Sequence, residues 1–66
     1  MTTSDIRARL ANIDKSKGDS EVAHGMQDKL WEDVLRAIAD GNCVFPQGCA
    51  AEALKVLDID FSRWTA

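Results

Sequence analysis

Sixty-six residues, 45% hydrophobic and 29% charged with one proline and four glycines, exclude a multidomain protein and argue against a disordered chain. The net charge of −3 is unevenly spread: +1 over residues 1–19, −3 over 20–40 and −1 over the remainder, so no basic face offers itself to nucleic acid. No run approaches the roughly 20 apolar residues of a membrane helix, and "MTTSDIRARL" lacks the apolar stretch of a signal peptide, so a cytoplasmic protein is expected.

The first element is "TSDIRARLANI", where Ile6, Leu10 and Ile13 recur at helical spacing. Thr3 or Ser4 is placed to cap its free amides, and Asp5 to meet the positive end of the helix dipole. "DKSKGDS", residues 14–20, interrupts the pattern with turn-forming residues, so 14–19 read as a loop.

Asp19 or Ser20 can open the second element, whose apolar stripe is Ala23, Met26, Leu30, Val34 and Ala37/Ile38. Trp31 and Leu35 widen this face, while Lys29, Glu32, Asp33 and Arg36 occupy the other. Gly41 suits a left-handed helix end. Gly25 is the flaw, since an interior glycine costs about 1 kcal/mol against alanine. Either a neighbouring backbone packs closely there or the helix starts near Met26, and a full-length helix is the preferred reading.

"NCVF" reads as a short extended connection, because Phe45 precedes proline and is pushed away from helical angles. Pro46 then suits the first position of a third helix. That helix should run to about Leu57 with Cys49, Ala50, Ala53, Leu54 and Leu57 inward, before a short C-terminal turn from Asp60 pairs Phe61 with Trp64. The expected fold is all-α: residues 1–66 as one domain, a small three-helix bundle plus a terminal turn, with one long central amphipathic helix, completed by dimerisation.

Cys43 and Cys49 raise the question of chemistry. A reducing compartment would keep them as thiols, and a redox motif would more often read C-x-x-C. Structural zinc needs four ligands, more than two cysteines and one histidine provide. Two small buried hydrophobes are therefore expected. Glu21, His24 and Asp28 share a helix face, and Glu-x-x-His is the ligand pattern of di-iron bundles. A dimeric metal-binding bundle using Glu21 and His24 is thus one alternative, although no metal or cofactor is the leading expectation. No nucleophile elbow, phosphate loop or dinucleotide fingerprint occurs, and so small a domain leaves little room for a substrate pocket. The chain does not read as an enzyme.

Over residues 34–66, Ile38, Ala39, Gly41, Ala50, Ala53, Leu54, Ile59, Arg63 and Trp64 stand in an order that resembles phage and bacterial helix-turn-helix segments. The resemblance implies DNA binding. It departs from the pattern in spacing by one or two residues, in a turn "LDID" without glycine, and in acids where the DNA backbone would lie.

What remains is an apolar face wider than two short helices cover. A second copy could cover it, with the long helices at the centre of a two-fold bundle. Met26, Leu30, Trp31, Val34, Leu35 and Trp64 are the expected interaction residues, the tryptophans as anchors. The leading expectation is a non-enzymatic interaction module, a homodimer that binds another protein.

Overall fold

The computed structural model describes residues 1–63 and contains α1 (Thr3–Lys15), α2 (Ser20–Ala39) and α3 (Pro46–Leu54), the last continuing into a 3₁₀ turn over Lys55–Asp58. No strand occurs among the described residues. Each α-helix packs against the other two, and the 3₁₀ turn lies against α1 and α3.

Local signals explain the helix ends. Thr2, one residue before the expected caps, forms a capping box with Asp5: the Asp5 amide donates to Thr2 Oγ1 at 3.3 Å and the Thr2 amide donates to Asp5 Oδ2 at 2.8 Å. The hydrogen bonds from Thr2 hold the Asp5 carboxyl below its ordinary value. Asp19 caps α2 by accepting from the Val22 amide. Gly41 ends that element with φ +73°, the left-handed position only glycine adopts cheaply.

α2 runs unbroken through Gly25. Neither sequence rationale for that glycine applies, because a Cβ there would meet nothing within 4 Å. The helix tolerates the propensity penalty because its buried stripe lies elsewhere: Ala23, Gln27, Leu30 and Val34 are buried at i, i+4, i+7 and i+11.

The core assembles Ile6 and Ile13 from α1, Ala23, Leu30 and Val34 from α2, and Cys49 and Ala53 from α3. Val56 from the 3₁₀ turn and Phe61 from the tail close it. Here α3 departs from expectation. Its buried stripe is Cys49, Glu52, Ala53 and Val56, and Leu54 and Leu57 are exposed. The rotation follows from α1, which packs on α3 and supplies Arg7 to the Glu52 carboxylate at 3.0 Å. An apparently wrong residue is thereby carried inward, paired from the far side by Lys55, also at 3.0 Å. The Lys55 hydrogen bond, and behind it Arg7, holds the Glu52 carboxyl below its usual range against partial burial.

The connection 42–45 also differs. Phe45 adopts φ 56°, ψ 69°, left-handed rather than extended. Proline at 46 disfavours the right-handed region for Phe45, and the left-handed turn lets its carbonyl accept from the Cys49 amide at 3.0 Å. Its ring lies directly over Gly48, where a Cβ would collide with it. Met1 straps this segment: its ammonium donates to Asn42 O at 2.6 Å, and the Val44 amide donates to Met1 O at 2.9 Å.

The terminal turn falls at 55–58 rather than from Asp60, and residues 59–63 are not helical. The expected Phe61–Trp64 pair involves a residue outside those described. What fastens the tail is Arg63. Its Nε donates to Gln27 Oε1 at 3.0 Å, Nη1 to Phe61 O at 3.2 Å, and Nη2 to Val56 O and Ile59 O at 2.8 and 3.0 Å. The guanidinium also lies 4.0 Å from the centre of the Phe61 ring.

Candidate interaction face

Rotation of α3 leaves one side of the molecule apolar. Ala50 and Leu54 turn away from α1, and across from them stand Trp31, Leu35 and Ile38 of α2 at i, i+4 and i+7. Between the two helices runs an open groove of about 270 Å³, with Val34 and Ala53 completing its lining. Every lining side chain is apolar. Leu35 is 67% exposed and Leu54 58%, so the walls of the groove stand in water.

A hydrogen bond joins the two walls of the groove. The Trp31 indole N–H donates to Ala53 O at 3.2 Å, tying the floor of α2 to the last turn of α3. That bond gives the half-buried indole N–H its acceptor, a carbonyl that also accepts from the Lys55 amide at the end of α3.

Of the residues expected to form an interaction surface, Trp31, Val34 and Leu35 line the groove, with Val34 itself buried. Leu30 is fully buried in the core of its own chain, and Met26 packs partly buried against that core, lining with Arg9, Asn12 and Ile13 a smaller cleft between α1 and α2. Trp64 lies outside the described residues. Ile38, Ala50, Ala53 and Leu54 are the groove residues that sequence reasoning left out of the site. The signal that bears on Ala50 and Leu54 is an α3 stripe through Glu52, which makes sense only with Arg7 as its partner.

The charged side of α2 is largely neutralised by its own chain. Asp33 accepts from Arg9 at 2.7 Å and pairs with Lys29 at 3.2 Å, and Glu32 pairs with Lys29 and Arg36 at 3.4 and 3.6 Å. The Arg9 hydrogen bond is the main reason the Asp33 carboxyl sits below its ordinary value. Lys29, hydrogen-bonded first to Asp33 and then to Glu32, is raised. The Arg9–Asp33 pair therefore clasps α1 to α2, and the other pairs lie within α2.

His24 pairs with Asp28 at 3.6 Å, while Glu21 is exposed. Among the described residues no three His, Cys, Asp or Glu side chains converge as metal ligands do. No described helix is long and apolar enough to cross a membrane. A helix-turn-helix would need a helix after the turn, whereas residues 59–63 form none and Arg63 directs its donors to internal acceptors. Comparison with known proteins found no matching family model, no similar curated protein and no similar solved structure.

Proposed function

We propose that the protein is a non-enzymatic helical interaction module that pairs with a second copy of itself through the α2–α3 groove. One observation carries this reading: Leu35 and Leu54, 67% and 58% exposed, flank a groove lined only by apolar side chains. Such a patch on so small a chain is costly in water and typical of association sites.

Three physical arguments favour a second copy as the occupant. A two-fold interface presents the same patch from both sides, so it must be self-complementary. Here a projecting ridge, Leu35, stands beside a recess bounded by Ala50, and the ridge of one copy can enter the recess of the other. The molecule is also a slab with extents 33 × 21 × 14 Å. Its largest extents leave room for a face of the order of the roughly 800 Å² that each partner contributes to an ordinary stable interface. Finally, the neighbouring charges Glu32 and Arg36 neutralise one another, so two copies meet without net repulsion at the α2 rim. Chains this short often rely on association to supplement a small core.

The dimer would then offer its outer surfaces, including Val22 and Phe45, to a further protein partner. The experiment is an NMR dilution series on isotopically labelled protein. Concentration-dependent shifts should centre on Leu35, Ile38, Leu54 and the Trp31 indole. Shifts absent at every concentration, or clustered on α1, would reject the groove as the self-association site.

A further inference from the structure

Cys43 and Cys49 enclose the one non-glycine residue with positive φ among those described, Phe45. Backbone strain of this kind persists where surroundings over-determine it, and it concentrates at sites that do something. The two thiols converge on a single atom: Val44 O lies 3.2 Å from Cys49 Sγ and 4.0 Å from Cys43 Sγ. Three backbone features keep them there. The Met1 strap holds residues 42 and 44, the left-handed Phe45 reverses the chain, and the Phe45 carbonyl fixes the amide of Cys49 in the first turn of α3. Hydrogen bonding with the Cys43 side chain, and then burial, pushes the Cys49 thiol up. The amino terminus opposes this shift and Asp5 adds to it, both as smaller effects.

We propose that Cys43 and Cys49 are a reversible dithiol–disulfide pair, a site of oxidative modification that closes the α2–α3 connection into a ring around Phe45. The two positions have different exposure and therefore different roles. Cys43 is half-buried and meets the oxidant, whereas Cys49 is fully buried and acts only on its neighbour. With a small-molecule disulfide RSSR as oxidant, the Cys43 thiol first loses its proton to solvent. Its sulfur attacks RSSR, a Cys43–SR bond forms, the RS–SR bond breaks, and one RS⁻ leaves and takes up a proton. Cys49 then loses its proton and attacks the Cys43 sulfur. The Cys43–Cys49 bond forms, the Cys43–SR bond breaks, and the second thiolate leaves. Two protein thiols are oxidised by two electrons while one RSSR becomes two RSH. Neither cysteine lines the groove, so the inference does not depend on the dimer.

The test equilibrates the full reduced chain in glutathione buffers of increasing oxidised fraction, followed by acid quench, alkylation and intact mass spectrometry. Because the second thiol is already adjacent, its effective concentration exceeds that of free glutathione, and the ring-closed monomer should outnumber glutathione-bearing chains by about 10-fold or more. In the reduced native chain, iodoacetamide should label Cys43 well before Cys49. Chains carrying glutathione on both cysteines, or disulfide-linked dimers in place of the ring, would overturn the proposal. So would equal labelling rates at the two thiols. These readouts use the unmodified sequence and do not require a cysteine variant to fold.

Discussion

Replacing Arg63 with alanine tests how the C-terminal segment is held. The guanidinium donates to Gln27 Oε1, Phe61 O, Val56 O and Ile59 O, and covers the Phe61 ring. Three of those acceptors are backbone carbonyls, and those of Val56 and Phe61 belong to core residues. The fourth is the side chain of Gln27, which is only 4% exposed. Losing its partner strands a buried acceptor, at a cost of about 1–3 kcal/mol. Loss of the cover over Phe61, itself a core residue at 7% exposure, adds about 1 kcal/mol. The expected total is about 2–4 kcal/mol, a large share of the ~3–10 kcal/mol that a domain of this length commands. Urea unfolding followed by tryptophan fluorescence and circular dichroism measures it directly. Arg63→Lys should recover little, since an ammonium cannot reproduce a planar fork reaching four acceptors. In a cycle with Gln27→Leu, the double variant should be less destabilised than the two single losses added together. A loss below about 0.5 kcal/mol for Arg63→Ala, or strict additivity in the cycle, would refute the latch.

Gly25→Ala should stabilise the protein by about 1 kcal/mol, because the position is exposed within α2 and a Cβ meets nothing; an unchanged urea midpoint would contradict the continuous helix. Gly48→Ala offers the same helix propensity but drives a methyl into the Phe45 ring, so it should bring no comparable gain and should displace the ring, seen as lost Phe45–residue 48 NOEs. Glu52 and Asp33 have carboxyls depressed in the folded state, chiefly by Lys55 and by Arg9 respectively. Their contribution is therefore complete above the ordinary values of 4.5 and 3.8 and disappears as pH falls through the lower folded values. Glu52→Gln should flatten the acid limb of a stability–pH profile, while an unchanged limb would show that its ion pairs do not matter.

The helical architecture was legible because period and punctuation agreed. Ile6 and Ile13, and Leu30 and Val34, mark their core faces by spacing alone, and Asp19 and Gly41 mark the ends of α2. The rotation of α3 was not legible. An alanine-rich helix has two faces of similar hydropathy, and the choice between Leu54 and Val56 as the inward residue depends on α1 bringing Arg7 to Glu52. Gln27 misleads in the same way, since its burial is explained only by Arg63, far along the chain. The left-handed Phe45 escaped because proline excludes one backbone region without saying which of the others is used. As for the site, Trp31 and Leu35 were visible as surplus apolar surface on α2. Their facing wall, Ala50 and Leu54, was hidden by the same rotation that creates the groove.

Self-association through that groove is the central claim, and sedimentation equilibrium over a range of micromolar concentrations tests it most directly. The wild-type chain should approach twice its 7.3 kDa mass. In Leu35→Glu each interface loses the same leucine twice, about 3 kcal/mol or more, which weakens dimerisation over 100-fold and should return the protein to a monomer with unchanged helicity. A wild-type chain that sediments as a 7.3 kDa species throughout, or a Leu35→Glu variant that still dimerises as tightly, would contradict the account.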